Sequence, residues 1–401
     1  MPEIKKRIGV DVLTAARQRV SYAFDHFEAI YVSFSAGKDS SVMLHLVLDE
    51  AIKRKRKVGV LLIDLEAQYK LTIEHAEQMF DLYREWIDLY WVCLPIKLRN
   101  SVSNYEPVWC AWDPERKDDW VREMPEREGV ISDPKYFDFF EPRMEFEEFI
   151  ELFAMWYSKG RTTGAFIGIR CDESLNRFRT IAICDKGMHA GKRWTTEVIP
   201  NVYNVYPIYD WHVSDIWKYH ARFPEKPHNE VYDRMHLAGL SPPQMRLCQP
   251  YGDDQKRGLW LYHLIEPETW GKLIARVNGA NSGATYIEEH GNVTGYNKIT
   301  LPPNHTWRSF CNLLLSTMPK VTQDHYLERF NGWLKGWHAR GYREGIPDYA
   351  PRELEKKYWA PSWRRLCKVL LRNDWWCKGL GLQQPKSEAY SRYQALKRAR
   401  A

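Results

Sequence analysis

The chain has 401 residues, with 58 Lys and Arg against 52 Asp and Glu, 44% hydrophobic and 27% charged residues. Near-balanced charge and an ordinary apolar fraction exclude disorder as the main state, and roughly 100–200 residues per domain allows two to four domains. The first twenty residues lack a continuous apolar stretch and no aliphatic run approaches the roughly 18 residues that span a bilayer, so a cytoplasmic protein without membrane contact is expected.

Residues 11–27 carry apolar positions at helical spacing behind Asp11, a candidate N-cap. Residues 29–34, AIYVSF, form a short β-rich run that ends in Ser35-Ala-Gly37 and passes into a helical pattern over residues 38–52. The basic run at 53–57 suits a helix C-terminus and reads as a solvated end. Strand Val58–Ile63, a helix over 73–86 and a strand over 89–94 follow. This alternation predicts a twisted parallel sheet with helices on both faces, because parallel neighbours need crossover connections.

Residues 97–142 interrupt the pattern with tryptophans, prolines and charge, and read as an insertion at the edge or mouth of the sheet. A helix over 145–157, a strand over 165–170, a helix over 173–182 and a strand ending at 205–208 resume it. Ser214 is a candidate cap for a helix over 215–220. Beyond 221 the texture turns to Pro-rich connections and Trp-rich helical patches at 307–315, 326–337 and 363–371, giving two expected parts: an α/β domain over 1–220 and a helical region over 221–401. The eight cysteines form no CxxC pair and are expected as reduced, packed thiols, including Cys171, Cys184 and Cys248, which with His189 show no spacing that demands a metal.

The sharpest feature is the turn from Ser33 through Ser35, Ala36, Gly37, Lys38, Asp39 and Ser40. A helix N-terminus presents unpaired N–H groups and the positive end of the dipole, so such a turn can hold a di- or triphosphate. Gly37 permits close backbone approach, Ser35 and Ser40 add hydroxyls, and Lys38 adds a charge; Asp39 suits a cap or a share in holding Mg²⁺. The turn lacks the earlier glycine of GxxxxGK[ST], so it is another class of phosphate loop, while GMHAGKR at 187–193 has the wrong spacing and reads as an ordinary loop.

Ser35-Ala-Gly-Lys-Asp-Ser40 resembles the SxGKDS loop of the PP-loop superfamily, in the branch containing phosphoadenosine phosphosulfate reductase and the small subunit of sulfate adenylyltransferase. Val60-Leu-Leu-Ile-Asp64 resembles the strand whose terminal acid approaches the nucleoside, and Gly168-Ile-Arg170-Cys-Asp172-Glu173-Ser174-Leu-Asn-Arg177 resembles the branch's GxRxDES motif. Val205-Tyr-Pro207-Ile-Tyr-Asp210-Trp211 with Asp215-Ile-Trp217 resembles a third motif, and the segments beginning at Asn229 and Met245 look like extended IbrA-like members of the reductase family.

The resemblance implies a PP-loop adenine nucleotide hydrolase-like fold, ATP with Mg²⁺ as ligand, and a ParB-like partner of the IbrB type. It implies catalytic roles for Lys38, Arg170 and Arg177 and nucleotide contacts from Ser33, Ser35, Ala36, Gly37, Asp39, Ser40, Asp64, Gly168, Asp172 and Glu173, Asp64 reaching the nucleoside or a Mg²⁺ ion; no dedicated metal-site residues are assigned. The expected reaction is cleavage of ATP between the α- and β-phosphates, of hydrolase or transferase type. Two alternatives remain: a phosphoadenosine phosphosulfate reductase, for which Cys377 in Trp376-Cys-Lys-Gly-Leu380 is the nearest thiol although the Glu and His of the usual segment are missing, and an ATP-gated adaptor. Nucleic acid is a further possible partner, through the 53–57 run or the tail Leu396-Lys-Arg-Ala-Arg-Ala401.

Overall fold

A computed structural model describes residues 9–103, 105–182, 186–253, 258–280 and 299–383. Helix α1 (Val12–His26) starts at Asp11, whose carboxylate accepts from the Leu13 and Thr14 amides. Strand β1 (Ala29–Ser33), α2 (Lys38–Arg54), β2 (Val58–Ile63), α3 (Lys70–Leu82) and β3 (Ile87–Val92) follow. The next stretch contains a hairpin of β4 (Ile96–Arg99) and β5 (Val108–Ala111), and β6 (Val130–Ile131), which pairs with β3 at the sheet edge.

Helix α4 (Phe146–Ser158), β7 (Thr163–Ile167), α5 (Leu175–Ala182), β8 (Thr195–Ile199), β9 (Val202–Val205) and α6 (Val213–Arg222) complete the layered part. The seven-stranded sheet has the order β6-β3-β2-β1-β7-β9-β8, parallel throughout except for β8, which runs antiparallel to β9. Because β1 and β2 are buried on both faces, their sequences read as unbroken apolar runs rather than alternating ones. Tyr157 of α4 crosses one face, its hydroxyl donating to the Ile30 carbonyl at 2.8 Å and accepting from the Gly59 amide. The opposite face takes α1, whose C-terminal neighbour Phe27 fills the space beside Gly164.

Four details differ from the sequence reading. The antiparallel strand β8 was not expected; its half-buried pattern lacks the apolar run of the central strands. Ser214 lies inside α6, and the N-terminus is closed by Asp215 accepting from the His212 amide at 2.9 Å. The 53–57 run is solvated only in part: Lys53, Lys55 and Lys57 are exposed, whereas Arg54 bonds Asp25 and Glu50, and Arg56 donates to the Phe24, Phe27 and Glu28 carbonyls, bracing α2 against the end of α1. Cys248 is exposed and Cys171 half-buried, whereas Cys93, Cys110, Cys311, Cys367 and Cys377 are packed inside; Cys184 and the 396–401 tail lie outside the described residues.

Helices α7 (Val231–Leu237), α8 (Trp260–Ile265) and α9 (Pro267–Arg276) join the main core, which continues to Ala280. A second core is built from α10 (Trp307–Ser316), α11 (Lys320–Ala339) and α13 (Trp363–Leu371), with the short α12 (Arg352–Lys356) on its outside. Trp307, Trp333, Trp337 and Trp375 fill it, which accounts for much of the Trp-rich texture. The two cores meet at Asn373, in the left-handed region at φ 47°, whose side-chain amide donates to the Ser101 and Ser103 carbonyls at 3.0 Å each. Among the described residues no helix is long and apolar enough to cross a membrane.

Candidate functional site

The loop between β1 and α2 turns at Ala36, whose φ of 55° is unusual for a residue with a side chain. Ser40 stitches the turn: its hydroxyl donates to the Gly37 carbonyl at 3.0 Å and accepts from the Ser35 hydroxyl at 3.0 Å and the Ser35 amide at 3.3 Å. Gly37 occupies the N-cap position of α2 and offers no side chain there; the first amide of the helix, that of Lys38, is met instead by the Tyr232 hydroxyl at 3.1 Å. Asp39 therefore is not a cap. The chain after β7 passes directly against the first turn of α2: a Cβ on Gly168 would lie 3.1 Å from Ser40 Cα and 3.2 Å from its amide nitrogen, so a side chain there would push the loop away.

Lys38, Asp39 and Arg170 form a charge cluster behind the turn, each under 10% exposed. Arg170 Nε donates to one Asp39 oxygen, and Lys38 Nζ stands 3.2 Å from the other. The Lys38 ammonium also donates to the Met245 carbonyl at 3.1 Å and lies 5.1 Å from the Tyr232 ring centre. Burial lowers its pKa, an effect that Asp39 opposes. Arg170 also stands 3.9 Å from Glu173, which pairs with Arg177, so three cations face the two carboxylates of Asp39 and Glu173 at the start of α2.

Glu173 accepts from the Arg170 amide at 3.1 Å and pairs with Arg177, while Asp172 pairs with His212. The GxRxDES segment is thus brought to the loop through Gly168 and Arg170, with Arg177 further out. Three residues that the motif reading did not assign hold the loop from the other side. Asn229 donates to the Ala36 carbonyl at 2.9 Å, the Tyr232 hydroxyl accepts from the Lys38 amide at 3.1 Å, and Met245 supplies the carbonyl for Lys38. Their signal lay in the two segments beginning at Asn229 and Met245, whose spacing states no role.

A cleft of 630 Å³ opens at the loop and is lined there by Ser33, Ser35 and Arg177. It runs past Leu61 and Ile63 of β2 to Tyr69, and its opposite wall includes Arg99 with Trp375, Trp376 and Lys378 of the second core. Tyr69 stacks on Tyr262 with ring centres 3.7 Å apart, giving a flat apolar patch at the β2 end.

Asp64 is placed differently. It is 1% exposed, and its carboxylate accepts from the Trp91 indole at 2.8 Å, the Glu66 amide at 2.9 Å and Arg122, so it faces the segment after β5 rather than the loop. Glu66 continues this cluster, accepting from the Trp112 and Val121 amides and from Arg276 Nε at 2.6 Å. Cys377 is also withdrawn: it is fully buried next to Trp376, and burial pushes its thiol up to about 12. Cys248, by contrast, is exposed on the cleft wall. Among the described residues no group of three or more His, Cys, Asp or Glu side chains could hold a metal.

A parallel sheet with a serine- and lysine-bearing turn at the carboxyl end of its central strand, opening into a cleft, defines a PP-loop nucleotide-binding domain. The phosphoadenosine phosphosulfate reductase domain matches residues 29–238, and the chain belongs to that family. A domain of unknown function, DUF3440, matches residues 239–360. The uncharacterized protein YbdN of Escherichia coli (strain K12) is 41% identical over 388 residues, covering 96% of this chain and 93% of that protein. Among solved structures, Candida glabrata FMN adenylyltransferase in complex with FAD and inorganic pyrophosphate is 15% identical, with a TM-score of 0.33 over 55% of this chain and 58% of that one. The phosphoadenylyl-sulfate reductase of Candida auris, in a phosphate complex, is 13% identical, with a TM-score of 0.28 over 55% of this chain and 84% of that one. The match thus spans little more than half of the adenylyltransferase chain.

Proposed function

We propose that the protein binds MgATP at the 33–40 loop and cleaves it between the α- and β-phosphates, releasing pyrophosphate and leaving AMP or an adenylated acceptor. The observation that carries this reading is the cluster of cations at the start of α2: Lys38 and Arg170 share the Asp39 carboxylate, Arg170 and Arg177 share Glu173, and Ser33 and Ser35 line the cleft beside them. Charge held in place before the reaction stabilises a developing pyrophosphate at no cost in reorganisation. Ser35, Gly37 and Ser40 hold the β- and γ-phosphates. Lys38 exchanges the Met245 carbonyl for a phosphate oxygen, and Arg170 and Arg177 offset the charge that develops on the leaving group.

With Asp39 engaged by Lys38 and Arg170, magnesium enters in this reading on the nucleotide's own phosphates. The nucleoside runs along β2 toward the Tyr69 ring. In this reading Asp64 braces the segment after β5 and does not touch the nucleoside. A ParB-like protein acting with this chain, as the resemblance to IbrA-like proteins implies, belongs to the same proposal, and ATP-dependent co-elution tests it.

The deciding experiment is incubation of the purified chain with Mg²⁺ and ATP, with products separated by chromatography. AMP and pyrophosphate are expected, and Lys38→Ala should lower turnover by about 10²–10³, the range for loss of one preorganised donor. An unchanged rate removes the assignment. The reductase reading is favoured by one observation, the exposed Cys248 on the cleft wall. Sulfite released from phosphoadenosine phosphosulfate with a thiol donor, and abolished by Cys248→Ser, would establish it instead.

A further inference from the structure

The chain's charge is divided unevenly. Residues 1–298 contain 39 Lys and Arg against 44 Asp and Glu, whereas residues 299–401 contain 19 against 8, so the net +6 is the sum of −5 and +11. The surface of the second core differs in kind as well. Within residues 349–359, Tyr349 is 69% exposed, Trp359 66% and Tyr358 49%. Tryptophan is seldom left this open to water, and here it directly follows the exposed Tyr358, with the exposed Tyr349 ten residues earlier. Arg352, Lys356 and Lys357 of the same stretch are exposed too, and Lys357 Nζ stands 4.7 Å from the Trp359 ring centre.

These rings are not spillover from the core, whose tryptophans point inward. Tyr358 is held in place, with the Arg365 guanidinium 4.8 Å from its ring centre and its hydroxyl donating to the Lys378 carbonyl at 3.4 Å. Lys378 is exposed and lines the cleft, so the patch adjoins the cleft mouth.

Exposed rings beside exposed cations, with Glu353 held by Lys356 at 3.4 Å as the exposed acid of the stretch, match a polymer of flat bases and phosphates. An acidic protein surface would meet the charge and leave the rings without a stacking partner. A duplex hides the faces of its bases, and a membrane surface would favour a broader aliphatic patch. We infer that the surface of residues 349–359 binds single-stranded nucleic acid, with bases stacked on Trp359, Tyr358 and Tyr349 and phosphates met by Arg352, Lys356 and Lys357. This inference does not rest on the reaction proposed for the loop.

The test is fluorescence anisotropy of labelled oligo(dT) and oligo(U) twelve-mers with the full chain across a salt series, alongside a duplex of equal length, anionic phospholipid vesicles and polyglutamate as a competitor. Saturable single-strand binding that weakens with salt and quenches tryptophan emission is expected. Trp359→Ala should weaken it by about tenfold, the loss of one stacked base, with the melting temperature unchanged because the ring is exposed. Lys356→Gln with Lys357→Gln should reduce the slope of log K against log salt by about 1.4, at roughly 0.7 per phosphate contact. Lys38→Ala should bind as well as the parent protein, which separates this site from the loop. Absence of single-strand binding, tighter binding to the duplex, competition by polyglutamate at matched charge, capture by vesicles alone, or an unaltered affinity in Trp359→Ala would each overturn the inference.

Discussion

Two clusters of buried charge stand at the carboxyl end of the sheet, and they are built on opposite plans. Around Glu66 every acceptor position is taken: each oxygen receives one backbone amide and one nitrogen of Arg276. Around Asp39 two cations crowd one carboxylate, Glu173 reaches Arg170 only at 3.9 Å and is shared with Arg177, and a further bond of Lys38 goes to a carbonyl from a distant segment. A saturated pair is a strut, since opening it would expose an uncompensated charge in the interior. An unsaturated group of cations with an exchangeable carbonyl can accept an anion. Both clusters begin from an acid close to the end of a strand, so position in sequence does not distinguish them.

Acid should strike the loop side harder than the strut. His45 lies within α2, and His75 and His220 are buried in neighbouring elements, with His75 2.8 Å from the Ser41 hydroxyl; burial depresses the three pKa values to about 3, 3 and 4. Their folded values lie below the unfolded value near 6.5, so the unfolded chain binds more protons across that interval. Their contribution is therefore present above about pH 6.5 and is lost as pH falls toward 4 for His220 and toward 3 for His45 and His75, at roughly 2 kcal/mol per histidine between pH 6.5 and 5. Melting temperatures at pH 7 and pH 5 check this, and equal values would contradict it.

On the strut side, Glu66→Ala should cost about 3–5 kcal/mol in urea unfolding by leaving Arg276 buried without its partner. A loss below about 1 kcal/mol would erase the contrast between the clusters. Gly168→Ala should cost about 1–3 kcal/mol through overpacking against Ser40 and weaken ATP binding in titration calorimetry, because the intruding methyl displaces the turn. Arg177→Ala should be the mildest in stability, within about 0.5 kcal/mol for an exposed pair, while still lowering turnover. Turnover equal to the parent's would remove Arg177 from the site.

Where chemistry is local, the sequence was easy to read. The β1–turn–α2 unit is specified within about twenty consecutive residues by an apolar run, small residues and a helical stripe, and it stands within two residues of its expected bounds. Gly168 and Arg170 could be placed because they follow a second central strand. The orientation of Asp64 was beyond sequence reasoning, since it depends on Trp91 and Arg122 arriving from β3 and from the segment after β5. Met245, Asn229 and the wall formed by Trp376 and Lys378 were hidden for the same reason: about 200 residues and more separate them from the loop. Cys377 shows the limit of a motif from the other direction, because its neighbours line the cleft while its own sulfur is sealed inside.

The Asn373 latch has a thermodynamic corollary. Ser35 and Lys378 face one cleft from two separately packed cores, and the described contacts joining those cores include the Asn373 amide on the Ser101 and Ser103 carbonyls and Arg99 on Asn373 itself. A ligand that touches both walls adds its own free energy to that junction, and a firmer junction returns the same amount as tighter binding. Occupancy of the cleft and attachment of the last quarter of the chain are thus one equilibrium seen from two sides.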